Sequence, residues 1–141
     1  MSTLIDEGTE LGARTARHLR DDIVVWLTTV TPKGAPLPSL VWFLWDGADG
    51  VTVYSMNSAR VRNIDLNPRV TMNFAGNGRG GDIVILAGRA RAARHLPAAD
   101  ASPAYLDKYA AHIERIGMTA QTFATSYSVP IEIQLAALRG D

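Results

Sequence analysis

Residues 23–55 read IVVWLTTVTPKGAPLPSLVWFLWDGADGVTVYS, and this stretch decides the fold. Ile23 to Val30 is a β-branched and aromatic run that stops at Thr31-Pro32-Lys33-Gly34, a sequence suited to a turn. Pro36 and Pro38 hold the following residues extended. Ser39 to Asp46 then reads as a second strand, which Gly47-Ala48-Asp49-Gly50 turns into a third at Val51 to Ser55. Three strands joined by short turns make an antiparallel meander. The second strand is apolar on both sides: Val41, Phe43 and Trp45 share one face while Trp42 and Leu44 share the other. At about 25 cal/mol per Å² of apolar surface, leaving those aromatics in water forgoes several kcal/mol. The outer face must therefore meet a helix, a bound aromatic ligand or a second subunit, and a second subunit with a cofactor at the seam is the expectation.

Moving outward, Leu11 to Arg20 predicts a short helix with basic residues near its C-terminal end. Downstream of the meander, Ser58 is placed to cap a helix running to Leu66. Asn67-Pro68 ends it, through a left-handed asparagine and a proline that cannot continue the helix. A fourth strand is expected from Arg69 to Ala75, a loop over Gly76 to Asp82, and a fifth strand from Ile83 to Ala93, so that five strands precede a long helix. In that helix Leu106, Tyr109, Ala110 and Ile113 recur at helical spacing up to Gly117, and a further turn covers Thr119 to Ala124. The last strand, Val129 to Leu138, alternates Val129, Ile131, Ile133 and Leu135 against Pro130, Glu132 and Gln134, so the second set faces water.

The chain has 141 residues, enough for one core, and is read as one domain over residues 1–141. Its 14 basic and 14 acidic residues balance, which leaves no overall field to draw it onto nucleic acid or an anionic membrane. Without cysteine there is no disulfide, thiolate nucleophile or cysteine-based metal site, consistent with a reducing compartment. The first twenty residues carry Asp6, Glu7 and Glu10 and lack a signal-like apolar core, and no apolar run reaches membrane-spanning length. A cytoplasmic location is expected.

The stretch with most chemistry is Ser55-Met56-Asn57-Ser58-Ala59-Arg60-Val61-Arg62-Asn63-Ile64. It sets two hydroxyls and two guanidiniums at a strand exit and helix entrance, where unpaired N–H groups and the helix dipole favour an anion. Arginine's fork suits phosphate and carboxylate. The competing reading is a helix start with solvated arginines. Lys33 and Arg69 are additional cations. The glycine-rich loop at 76–82 lacks the Lys-Ser/Thr pair of a phosphate loop and precedes a strand, so it is read as a connection beside a pocket. His18, His95 and His112 are read as lacking metal-ligand spacing, the serines lack a nucleophile elbow, and Asp82 and Asp107 are read as loop and helix-surface residues. If the chain is an enzyme, an organic cofactor carries the chemistry.

Three segments, WLTTVTPKGAPLPSLVWFLWDG at 26–47, YSMNSARVRNIDLNPRVTMNF at 54–74 and the stretch 103–140, together resemble the flavin and deazaflavin oxidoreductase superfamily. This is the split β-barrel group that includes pyridoxamine 5'-phosphate oxidases, and the chain is most similar to its actinobacterial coenzyme F420-dependent branch. The resemblance implies a mainly β fold with flanking helices, a six- or seven-stranded antiparallel split β-barrel forming a homodimer, with cofactors in grooves between subunits. It assigns Ser55, Ser58, Arg60, Arg62 and Asn63 to the phosphate end and Pro38, Ser39, Leu40 and Val41 to the ring, mainly through backbone groups. F420 carries a phosphate-linked polyglutamate tail, for which Arg60, Arg62, Lys33 and Arg69 supply charge, and this favours F420 over FMN. The implied activity is hydride transfer from reduced F420 to an unsaturated or electron-poor small molecule. The alternatives are an FMN-dependent oxidase or reductase on the same fold, or a non-catalytic carrier of flavin, haem or another tetrapyrrole. The choice of proton donor among Tyr54, Tyr105, Tyr109 and Tyr127 stays open.

Overall fold

The computed structural model describes residues 4–140. Helix α1, Glu10–Asp21, starts where the Thr9 hydroxyl accepts the Gly12 N–H at 2.9 Å, and its inner face carries Thr15, Ala16 and Leu19. The strands are β1 (Val25–Val30), β2 (Pro36–Val41), β3 (Leu44–Trp45), β4 (Gly50–Ser55), β5 (Arg69–Asn73), β6 (Ile85–Ala92) and β7 (Val129–Arg139). Helix α2 (Ala59–Leu66) follows β4, and a short 3-10 helix at Ala99–Ala101, α3 (Pro103–Arg115) and α4 (Ala120–Ser126) lie between β6 and β7. All seven strands belong to one antiparallel sheet in the order β2-β1-β5-β6-β7-β4-β3. The sheet curls into a half-barrel, so the strand count and class follow the expected architecture.

Alternation explains the interior. Val25 and Leu27 of β1, Val51 and Val53 of β4, Val70 and Met72 of β5 and Ile131, Ile133 and Leu135 of β7 point into one buried core. On β7 the facing set divides: Glu132 is half-buried and Gln134 exposed, whereas Pro130, expected in water, is buried where it pairs with Tyr54. At Ala87/Gly88 the β6–β7 register shifts, and a Cβ on Gly88 would collide with the Gln134 carbonyl.

The expected strand 39–46 is broken. Pairing with β1 begins earlier, at Pro36, and ends at Val41, while only Leu44 and Trp45 pair with β4. Six strands therefore precede the long helix instead of five. The break also settles what covers the outer face: Trp42 and Leu44 pack into a second cluster with Tyr54, Tyr105, Tyr109, Ile113 and Phe123, supplied largely by α3 and α4. Within this chain a helical layer packs against that face and leaves Trp42 and Leu44 partly buried. A further correction concerns Asn67, which is extended (φ −143°) and stops α2 while its side-chain oxygen accepts the Arg69 N–H at 3.1 Å. Among the described residues, no helix is long and apolar enough to cross a membrane.

Candidate functional site

Where β2 breaks, a cleft of about 240 Å³ opens between the sheet and the helical layer. Leu40 and Val41 come from the end of β2, Trp42 from the break that follows it, Tyr54 from β4, Arg60 from α2, Ile116 from the end of α3, and Phe123 and Tyr127 from α4 and its cap. The aromatic wall is a stack. Trp42 lies 4.8 Å from Tyr109 at an interplanar angle of 6° and 5.4 Å from Phe123 at 13°, and Phe123 lies 4.5 Å from Tyr127. Rings stacked on one another make a rigid apolar wall for the cleft.

The polar end of the cleft is Arg60. Its guanidinium donates to the Ser55 hydroxyl at 2.7 Å, and that hydroxyl donates to the Met56 carbonyl at 2.7 Å. The Arg60 Nε and the Ser58 hydroxyl are both buried without a hydrogen-bond partner. Ser58 occupies the N-cap position of α2 but makes no side-chain capping bond, contrary to its expected role as a cap. Among the described residues no carboxylate forms an ion pair with Arg60. Burial accordingly pushes the Arg60 pKa down, opposed by its electrostatic interaction with Tyr127. A half-buried cation without a counter-charge, with its own Nε unpartnered, is costly in a folded protein, and so is the unpartnered Ser58 hydroxyl. The set matches what an anionic group would satisfy.

The structure gathers some of the candidate residues and separates others. Leu40, Val41 and Arg60 line the cleft, Ser55 holds Arg60, and the Ser58 hydroxyl is buried at the start of α2. Pro38 and Ser39 pair with Thr28 and Leu27 in β2, which is an edge strand with its other side unpaired in the sheet. Lys33 is exposed in the β1–β2 turn. Arg60 and Arg62, two residues apart on a helix, part company: Arg62 is exposed, while Arg60 is not the solvated helix-start residue of the competing reading. Asn63, expected at the phosphate end, is buried and donates to the Thr29 hydroxyl at 3.1 Å, tying α2 to β1. Arg69 is exposed opposite Arg89 in the β5–β6 register. Tyr54 and Tyr127, left open among four proton-donor candidates, both line the cleft, and Phe123 was not singled out. The only sequence signal for the last two is their spacing of four in TFATSYS, which puts them on one helix face.

Asp82 is more than a loop residue. Its carboxylate lies 3.0 Å from His18 Nε2 and near Arg14 and Arg17, while His18 Nδ1 lies 2.6 Å from Asp22. Asp22 stands at i+4 from His18 on α1, a spacing that the reading of isolated histidines overlooked. No group of three or more metal-ligating side chains is assembled among the described residues.

Comparison with known proteins agrees with this architecture. No curated protein sequence matches the chain. Among solved structures, a pyridoxamine 5'-phosphate oxidase-like protein of Listeria innocua is similar at 19% identity and a TM-score of 0.65, covering 92% of this chain and 97% of that one. An F420 reductase is similar at 20% identity and a TM-score of 0.59, covering 86% of this chain and 92% of that one. The haem storage protein HutZ of Vibrio cholerae is similar at 17% identity and a TM-score of 0.59, with 94% and 95% covered. At these identities the likeness shows a shared fold. The sequence match over residues 11–136 goes further, and by it the chain belongs to the pyridoxamine 5'-phosphate oxidase family.

Proposed function

We propose that the chain is a coenzyme F420-dependent oxidoreductase which, as a homodimer, reduces an unsaturated or electron-poor small molecule. The observation that carries this reading is the Arg60 guanidinium, half-buried in an aromatic cleft with no carboxylate paired to it and its Nε unpartnered. Arg60, held by Ser55, takes the phosphate, and exposed Arg62, Lys33 and Arg69 serve the carboxylates of the tail. Leu40, Val41 and Trp42 flank the ring, with the edge of β2 offering backbone groups to it. When bound, the deazaflavin supplies a hydride. The chain's own part is to orient the ring against the Trp42–Phe123 stack and to exclude water there.

A cleft of about 240 Å³ is smaller than the roughly 300–1,000 Å³ of sites that enclose whole small molecules, so one chain supplies part of the site. Leu40, 51% exposed, belongs both to this cleft and to a neighbouring groove with Val24 and Trp26, each 39% exposed. A second copy over that groove completes the pocket. F420 is favoured over FMN by the exposed cations Arg62, Lys33 and Arg69, which an anionic tail would call for, and by the F420 reductase among similar structures.

Titration of the purified protein with F420, FMN and haem, followed by absorbance, tests the reading. F420 is expected to bind most tightly, more weakly as salt rises. Equal or tighter FMN binding would move the assignment to a flavin enzyme, and preferential haem binding would move it to a carrier.

A further inference from the structure

The cleft also bears on the proton that must accompany a hydride. Four tyrosines surround the aromatic layer, and their hydroxyls differ in freedom. Tyr54 donates to the Pro97 carbonyl at 2.9 Å. Tyr109 is engaged by the Ile23 carbonyl at 2.7 Å and by both backbone groups of Phe43. Tyr105 is fully buried, lies outside the cleft lining, and burial pushes its pKa far above the ordinary phenol value. Tyr127 alone lines the cleft, is half-exposed, and has a hydroxyl without a hydrogen-bond partner among the described residues. Its ring is fixed by stacking on Phe123, and its oxygen interacts electrostatically with Arg60.

We propose that Tyr127 is the proton donor of the reduction, an inference that rests on the reductase reading above. The substrate is a conjugated carbonyl or similarly activated double bond. Its electron-poor carbon gains a hydride from the reduced deazaflavin, which is thereby oxidised by two electrons. The adjacent carbon gains the Tyr127 phenolic proton as the π bond is lost. Solvent then returns a proton to the phenolate, which forms next to the Arg60 cation.

Two measurements on the full chain test the role. Tetranitromethane treatment with peptide mapping is expected to nitrate Tyr127 before the other three tyrosines, and F420 with cyclohex-2-en-1-one is expected to slow that nitration. Earlier nitration of another tyrosine, or no protection, overturns the placement. Tyr127→Phe keeps the ring stack on Phe123, so it is expected to bind F420 within about twofold of the parent. Its reduction of cyclohex-2-en-1-one is expected to fall about a hundredfold or more. Parent-like turnover overturns the donor role while leaving the reductase reading intact, and so does loss of F420 affinity in the variant. A parent protein that binds F420 but does not reduce the enone overturns the substrate class and the donor role together. A parent that does not bind F420 overturns the reductase reading itself.

Discussion

The Tyr109 hydroxyl accepts the Phe43 N–H at 2.8 Å, linking α3 to the point where the sheet strand breaks, 66 residues away in sequence. That oxygen lies 2.7 Å from the Ile23 carbonyl and 2.9 Å from the Phe43 carbonyl, but its single proton serves one of them at a time. Lys108 Nζ, 3.1 Å from the Phe43 carbonyl and 3.8 Å from the Phe43 ring centroid, supplies the missing donor. Residues 42–43 carry no sheet pairing, so α3 replaces the ladder bonds that the break removes. Burial in this position pushes the Lys108 pKa down to about 8.

Tyr109→Phe leaves the ring stack in place and strands the Phe43 N–H and the Ile23 carbonyl. The expected loss is about 1–3 kcal/mol of folding stability, measured by urea denaturation, because buried polar groups are left unpaired. A change within about 0.5 kcal/mol would mean that the break is held by packing alone.

The His18 cluster predicts a pH dependence. Burial works against the charged imidazolium, but hydrogen bonds to Asp82 and Asp22 and their attraction outweigh it, holding the His18 pKa above its ordinary 6.5. Hydrogen bonding to His18, with Arg17 and Arg14 nearby, holds the Asp82 carboxyl below its ordinary 3.8. A raised histidine contributes stability that is complete below 6.5 and is lost as pH rises through the elevated folded value. A depressed carboxyl contributes above 3.8 and loses its contribution as pH falls through the lower folded value. The contact between α1 and the 76–82 loop is therefore strongest between those limits. His18→Gln is expected to cost about 1–2 kcal/mol near pH 5.5 and less than about 1 kcal/mol near pH 8.5, read from denaturation midpoints at both values. An equal cost at both pH values would mean that the imidazole acts only through its stack on Phe74.

Legibility in the sequence followed the range of the interaction. The alternation of Val129, Ile131, Ile133 and Leu135 is local, and it identified β7 and its buried face correctly. The two-sided pattern at 41–45 correctly demanded cover for Trp42, but a period of two does not say what provides it, and the answer is Tyr109 and Phe123 from far along the chain. The strand break at 42–43 was invisible for the same reason. Arg60 and Arg62 look equivalent in sequence, yet two positions on a helix is about 200° of rotation, enough to bury one and leave the other in water. Asn63 illustrates the converse: a polar residue in a basic motif was assigned to a ligand although its partner, Thr29, belongs to the core of the fold.

The proposed dimer makes a separable prediction. Trp26 and Leu40 lie directly opposite one another in the β1–β2 register, 39% and 51% exposed, so they form one apolar patch in the single chain. Sedimentation at micromolar concentration is expected to give twice the chain mass of 15.2 kDa. Leu40→Asp, which changes a side chain already half in water, is expected to shift the protein to monomer and to weaken F420 binding. A parent that sediments as one chain and still binds F420 tightly would remove the shared pocket.

The two arginines of α2 give the sharpest contrast. If Arg60 holds the phosphate, Arg60→Ala removes a charge-assisted contact worth about 1.5–3 kcal/mol, or roughly ten- to a hundredfold in affinity. Arg62, exposed and assigned under the proposed function only to tail carboxylates, is expected to matter less: about threefold or under for Arg62→Ala, in a form that salt erases. The apo protein discriminates further. Arg60 has one hydrogen bond, to Ser55, set against the cost of a half-buried charge without a counter-ion. Arg60→Met keeps the stem's packing and deletes that charge, so its apo melting temperature is expected to equal or exceed the parent's while F420 affinity falls. That opposition between stability and binding is the signature of a residue kept for a ligand. If Arg60→Met melts well below the parent and binds F420 as the parent does, Arg60 belongs to the fold and the anion site lies elsewhere.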